Sequence, residues 1–576
     1  MNKHKKNAPH AFKKGLLVLA SAASLVLAGC SALTASKGPS KESITVYKNG
    51  AIYTVNKSQP WAEAIVIENG IIKMVGSNAQ VQGFEASAAN VIDLQGRMMM
   101  PGFHDVHTHP IESASENTQF SLNSQEDDAE DFILPIRKAR KDFRHAKWLV
   151  GYGHYVGTLL NAKRSPVDIL DDAVDSRPVV IMSESSHSVW ANSRALEKLG
   201  IDENTPDPVG GKIMHDKNGK PNGILIDNAG EMAFDMALEA TAKKEEIDYE
   251  GMVYYTLPQL AKNGITSISD ARVYWKRGHQ NVWNRLEQED LLTVRVTAAL
   301  WSYASEDDDR QIAMFKSLYS NNPNSLLRFN QIKMYSDGLI QNTTAAFKTP
   351  YQFDLLGIEG NKGLNYFSEA RMAKYINELE GTGFDFLIHA IGDRGIHEAL
   401  NAIEQSGTEK GRHRITHVEI LDPVDAKRFA QINATADCQV AGEWSNPEHW
   451  GELAEFIDED KTHNQIPLKD LAQAGARLTL SSDWSVSPFN PFLGLSNAVS
   501  RAPQNISMED ALAAYTINSA YSMRQDDKVG SIEVGKEADL VVLDQNLFKI
   551  DKSQIKDTRI LQTLLAGEEV YRSSDL

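Results

Sequence analysis

From residue 44 onward the chain opens with short apolar runs at 44–47, 52–55, 64–67 and 71–75, separated by turn pairs such as Asn49-Gly50 and Asn69-Gly70. Apolar runs of this length between turn residues predict β-hairpins. Similar runs return at 539–543 and 564–571, with Ala566-Gly567 as their turn. The two chain ends are therefore expected to build one small β-sandwich domain, from 44–97 and 530–576. Between them, buried-strand patterns alternate with long helical ones, the rhythm of a parallel α/β fold. The strand candidates are 98–103, 265–269, 294–300, 329–334, 385–388, 414–416, 434–439 and 477–481. Eight such strands within 98–529 predict a (β/α)8 TIM-like barrel, with a large insertion at about 111–250 after the first strand. The insertion holds its own apolar strand, 178–182, and a turn-rich stretch, 206–223.

The segment before residue 44 follows a different pattern. Lysines 3, 5, 6, 13 and 14 precede an apolar run over 16–28, the layout of a secretory signal peptide over 1–29. That run is too short to span ~30 Å of hydrocarbon as a helix. It ends Leu27-Ala28-Gly29-Cys30, which resembles the bacterial lipobox. The resemblance implies cleavage before Cys30 and acylation of that residue. Residues 30–43 would then act as a polar tether, with the protein anchored in the cell envelope, on the outer side of the cytoplasmic membrane or on the outer membrane.

Composition narrows the classes further. Apolar residues at 42% and charged residues at 24% exclude a disordered polymer, a collagen-like fibre and a polytopic membrane protein. The balance of 59 Lys+Arg against 77 Asp+Glu gives −18, a surface that repels phosphate backbones and argues against nucleic acid. The same balance suggests neutral or cationic substrates. With only Cys30 and Cys438, neither a disulfide framework nor a cysteine-ligated zinc site is available.

Candidate chemistry gathers at strand ends. In Pro101-Gly102-Phe103-His104-Asp105-Val106-His107-Thr108-His109 the two histidines two apart share a strand face, and paired neutral imidazoles favour a transition metal such as zinc. The pair could also be two solvated loop histidines. His389, His417 and Asp483 each follow another strand candidate. A capped strand end or a core histidine would explain any one of them. Together they point into one pocket, because barrel active sites lie at the C-terminal ends of the strands.

These blocks resemble the amidohydrolase superfamily, within the family 3 branch that includes N-substituted formamide deformylases. The other matching motifs are Gly-Ile-Thr-Ser-Ile-Ser-Asp (264–270), Ile-Lys-Met-Tyr-Ser-Asp-Gly (332–338), His-Ala-Ile-Gly-Asp-Arg (389–394), Ser-Ser-Asp-Trp (481–484) and the run from Gly530 to Leu540. The resemblance implies a divalent metal, with zinc favoured, as one or two ions. His107, His109, His389, His417, Lys333 and Asp483 would be the ligands, with Asp483 also the catalytic proton shuttle. Lys333 matches a lysine that relatives can carboxylate; its alternative is an ammonium paired with Asp337. Thr416 departs from the pattern, standing where many relatives carry Glu. His104, Asp105, Asp270, Asp337 and Asp393 are weaker candidates for supporting the ligands. His187 could line a substrate cleft, although surface packing is the simpler reading. Trp190, Trp275 and Trp484 could form an apolar wall. A homodimer is reasonable by resemblance.

The function expected is hydrolysis of a C–N bond in a small non-peptide amide, formamide or cyclic amide. Cleavage of a C–O bond on the same scaffold, or a surface-anchored binding lipoprotein without turnover, are the alternatives. No Gly-X-Ser-X-Gly elbow competes, and Cys438, within a strand candidate, is expected to be buried and inert.

Overall fold

Eight strands succeed one another in chain order around a central sheet: β1 Phe103–Thr108, β2 Ile265–Val273, β3 Arg295–Trp301, β4 Leu327–Tyr335, β5 Asp385–Ala390, β6 Arg414–His417, β7 Thr435–Gln439 and β8 Arg477–Ser481. Each adjacent pair runs parallel. Past its end β8 returns to β1: the Asp483 N–H donates to His107 O at 2.8 Å and the His109 N–H to Trp484 O at 2.6 Å. The result is a nearly closed barrel with helices outside. Its strands are buried almost throughout, as expected where helices cover the outer face. The helix Asp393–Ser406 shows how the cover works, burying Ile396, Ala399, Leu400 and Ile403 along one face at helical spacing. This computed structural model describes residues 44–116, 119–122, 128–406, 408 and 410–576. The signal segment, Cys30 and the tether lie outside the described residues. No helix among the described residues is long and apolar enough to cross a membrane.

The first strand differs from expectation. Residues 98–103 were expected to open the barrel, but Met98–Pro101 pairs with Leu540–Leu543 and Ala51–Tyr53 in the small domain. Side-chain alternation explains the switch, since Met98 and Met100 pack into the main core and Met99 into the small domain's core. Gly102 separates the two strands: a Cβ there would fall 2.2 Å from Thr266 Oγ1. Consequently His107 lies inside β1 and His109 one residue beyond it.

Two sheets face each other in the small domain. One carries Ile44–Lys48, Ala64–Glu68, Ile71–Gly76 and Asn90–Asp93, and the other joins both chain ends through Ile560–Leu565 and Glu568–Arg572. Tyr47, Ile65 and Ile67 meet Ile52, Met99, Leu540 and Leu564 between them.

The insertion between β1 and β2 folds around a six-stranded sheet of its own, including Leu149–His154, Val179–Ser183, Ser188–Ala191 and Pro221–Asp227. Its strands alternate strictly: Ile181 and Trp190 pack against the helix Pro166–Ala173, while Val180, Val189 and Leu225 pack against Asn228–Glu239. Trp190 therefore sits in the insertion's core, donating Nε1–H to Pro166 O, and does not wall the cleft.

Candidate metal centre

The ends of β1, β4, β5, β6 and β8 bring His107, Lys333, His389, His417 and Asp483 into one buried cluster, with His109 immediately past β1. Ligand atoms of His107, His417 and Asp483 lie within 4.8 Å of one another. His109 Nε2 is 2.8 Å from Asp483 Oδ1, and His107 Nε2 is 3.4 Å from the same oxygen. The His389 ring is 4.4 Å from that of His417, which is 5.0 Å from His107. Two of these residues hold backbone that L-residues seldom adopt: φ is 77° at His417 and 57° at Asp483. Such strain, about 1–3 kcal/mol per residue, persists where the surroundings fix a functional geometry.

The donor set suits a divalent cation. Burial keeps the imidazoles neutral, holding His109 down at about 4, His417 at about 3, and His107 and His389 well below the usual range. His389 Nδ1 and His109 Nδ1 are buried without a hydrogen-bond partner. Buried lone pairs of this kind are rarely left empty, and neutral imidazoles beside a carboxylate are suitable ligands for zinc-like ions. Burial alone would raise the Asp483 carboxyl, but the His109 hydrogen bond and nearby positive charge, including Arg272, hold it below the ordinary carboxylate range. It is therefore ionised at neutral pH.

Lys333 is fully buried at the end of β4, its Nζ 3.0 Å from His107 Nε2. Burial and the Arg272 cation push its amine well below the usual lysine value. Among the described residues it has no salt bridge, so the alternative pairing with Asp337 does not form. Asp337 instead accepts the backbone N–H groups of Ala346, Ile391 and Gly392, tying together the loops after β4 and β5.

His107 is oriented by a relay through Thr416 and Asp437, residues with no site role expected from the sequence. Its Nδ1 lies 2.6 Å from Thr416 Oγ1, and that hydroxyl donates to Asp437 Oδ2 at 2.8 Å. Asp437 also accepts from Gln439, Thr479 and Ser481. Its visible signal was an acid inside the apolar strand β7. Asp105 couples the strand ends differently, accepting from the Ser482 hydroxyl and from the backbone N–H groups of Ser482 and His107.

His187 is not a surface residue. It is 6% exposed, and its ring lies 5.6 Å from His389 and 5.7 Å from Tyr335. Asp227 holds its Nδ1 at 2.7 Å, so the insertion delivers a carboxylate-backed imidazole to the cluster.

Three weaker candidates stand apart. His104 turns Nδ1 to Gly102 O. Asp270 accepts from Trp283 Nε1 and the Arg272 N–H, and Asp393 from the Lys348 N–H and Lys461 Nζ; none of the three contacts a clustered histidine. Trp484 packs on Phe489 beside Asp483, whereas Trp275 donates its Nε1–H to Trp301 O. Cys438 is buried in β7, and burial pushes its thiol up, as an inert cysteine requires.

Comparison with known proteins bears on the family and the fold. A sequence profile described as "Amidohydrolase family" matches residues 90–571. The chain is similar to the amidohydrolase YtcJ of Bacillus subtilis, at 27% identity over 92% of this chain and 99% of that protein. It is also similar to the N-substituted formamide deformylase of Arthrobacter pascens, at 24% identity over 90% of this chain and 96% of that one. Among solved structures, a metal-dependent hydrolase of Pyrococcus horikoshii superposes with a TM-score of 0.70 at 23% identity, over 89% of this chain and 99% of that chain.

Proposed function

Because this chain belongs to the amidohydrolase family, whose profile spans residues 90–571, we propose that it hydrolyses the C–N bond of a small non-peptide amide, formamide or cyclic amide. The observation that carries the reading is the convergence of neutral imidazoles and one ionised aspartate, from the ends of separate barrel strands, on a single point. His107, His109, His389, His417 and Asp483 would hold one or two divalent ions, with zinc the favoured metal, and Lys333 would join them once carboxylated. The bound cation supplies activation of water near neutral pH and polarisation of the scissile carbonyl.

The chain's own groups do the rest. Asp483 uses Oδ1 toward His109 and His107, which leaves Oδ2 to take a proton from the attacking water. The same oxygen returns that proton to the departing nitrogen, since an expelled amide anion is too basic to leave unprotonated. His187, clamped at Nδ1 by Asp227, offers Nε2 to orient the substrate's polar end. Trp484 and Phe489 exclude water from one side.

The sequence further supports a lipid-anchored protein of the cell envelope, through Cys30. The direct test is metal analysis of the purified protein, followed by a screen of N-acyl amines with and without chelator. Chelator-sensitive release of amine is expected. Full metal occupancy with no turnover of any amide would overturn the reading in favour of a binding protein, and turnover confined to esters would move it to C–O hydrolysis.

A further inference from the structure

Arg272 stands one residue before the end of β2 and, beyond its charge acting on Asp483 and Lys333, takes no part in the proposed reaction. Arg272 is 5% exposed, and its Nε is fully shielded without a hydrogen-bond partner. Its nearest anion is Glu112, whose Oε2 lies 3.6 Å from Nη1, beyond hydrogen-bond distance. That same oxygen is 3.8 Å from His109 Nδ1, so the guanidinium sits one carboxylate away from the histidine pair. No hydrogen bond leaves the guanidinium among the described residues. A buried guanidinium offers five donors, and leaving them empty is costly unless a ligand fills them.

Neighbouring Arg277 behaves differently. It pairs with Asp235 through Nε and lies flat over the Tyr274 ring at 3.6 Å, so its charge and face are both occupied. Arg272 instead keeps its hydrogen-bond donors unused on the side of the metal cluster, its one ion pair among the described residues being the 3.6 Å contact with Glu112. Its positive charge is felt there, lowering Lys333, His107 and His109. Beyond it the aromatic faces of Tyr274, Trp301 and Tyr335 succeed one another at 5.2 and 4.8 Å, and Tyr335 stacks on His389 at 4.0 Å.

We propose that Arg272 is the receptor for a carboxylate on the substrate, which makes the substrate an amide bearing an acid close to the scissile bond, with an aromatic or apolar body. An N-acylated amino acid fits this description. The inference rests on the amide-hydrolase reading and narrows it. It also reverses, inside the pocket, the neutral or cationic preference that the chain's net charge suggested. Arginine suits the task because its planar fork meets both oxygens of a carboxylate.

The test compares N-acetylphenylalanine with N-acetylphenethylamine, which differ only by the carboxylate. The metal-loaded wild-type protein is expected to favour the acid in kcat/KM by about 100-fold, and Arg272→Met to lose most of that preference through KM. Arg272→Lys, which keeps the charge but not the fork, should retain part of it. Calorimetry with 3-phenylpropionate gives a readout independent of turnover: binding to wild type, and weakening in both variants. An equal loss on both substrates with a lowered melting temperature would overturn the proposal, making Arg272 a structural ion-pair member. Wild-type turnover restricted to N-acetylphenethylamine would overturn it while leaving amide hydrolysis standing. If neither amide is cleaved yet 3-phenylpropionate binds in an Arg272-dependent way, the carboxylate site stands and amide hydrolysis falls.

Discussion

His107 Nδ1 and Asp437 Oδ2 lie 3.6 Å apart and are joined by the Thr416 hydroxyl, which takes a hydrogen bond from the imidazole and gives one to the carboxylate. Four donors converge on Asp437, the pattern of an ionised carboxylate, even though burial pushes its pKa up. The relay fixes the proton on Nδ1 and leaves the Nε2 lone pair facing Lys333 and Asp483. Thr416 thus provides by a two-step connection what a directly bonded carboxylate provides in many metal sites. Thr416→Val, matched in shape, is expected to weaken metal affinity by about 10–100-fold, and Thr416→Ser to keep it near wild type. Competition against a chromogenic chelator measures both; an unchanged affinity in Thr416→Val would remove the relay from metal binding.

Asp483 is held ionised by its surroundings and is placed to handle a proton. Asp483→Asn keeps the side chain's shape while removing its capacity as a base. The variant is expected to bind metal and to lose about 10²- to 10⁴-fold in kcat. Metal content by elemental analysis, set beside kcat, checks the separation. Near-normal turnover would mean that another group moves the proton.

Seven of the eight barrel strands and the histidines at strand ends were legible because short, largely apolar and β-branched runs alternate with helical patterns, a rhythm that survives without neighbours. What could not be read depends on contacts between distant segments. Asp437 interrupts a strand, and nothing local says that its partner is a threonine 21 residues earlier. His187 read as a surface residue because its hairpin turn, Glu184-Ser185-Ser186, is polar; only the insertion's packing on the barrel buries it. Nothing in the sequence around Arg272 marks it as lying beside the site. The Met98–Pro101 run was assigned to the barrel because an apolar strand carries no mark of which sheet will pair with it. The barrel's interior is also more polar than an apolar pattern implies. Arg414 reaches across it to Ser522, Val106, Ser269 and Gln331, and burial lowers its pKa to about 10.

Gly102 is where the small domain hands the chain to the barrel. The Thr266 side chain fills the space a Cβ would need, its three nearest atoms lying between 2.2 and 2.8 Å away. Thr266 is itself fully buried and β-branched, with little freedom to move aside. Gly102→Ala is expected to destabilise the protein by about 1–3 kcal/mol through overpacking, and Thr266→Ala to restore part of the loss in the double variant. Chemical denaturation of the four proteins measures the coupling; strictly additive effects would show that the two positions do not compete for the same space.

The anchor proposed at Cys30 has a simple consequence. Detergent should be needed to release the wild-type protein from the membranes of a bacterial host, and Cys30→Ser should appear in the soluble fraction or retain its leader. Incorporation of labelled palmitate into the wild type alone would complete the result. Free wild-type protein without label would mean that the leader is an ordinary secretory signal.

Lys333 presents the sharpest chemical choice, because a fully buried amine with no salt bridge among the described residues cannot comfortably remain an ammonium. As a neutral amine it can donate to His107 Nε2 and keeps a lone pair that can attack carbon dioxide. The C–N bond of a carbamate forms and one proton is released, replacing a buried neutral group with an anion that needs cations beside it. Carboxylation and metal loading are therefore expected to depend on each other. Protein loaded with metal in ¹³C-bicarbonate should show a carbamate carbonyl resonance that is absent from Lys333→Met. Metal removal should erase the signal, and reconstitution in carbon-dioxide-free buffer should lower metal uptake. Full uptake without carbon dioxide, and no carbamate signal, would leave Lys333 as an amine that only positions His107.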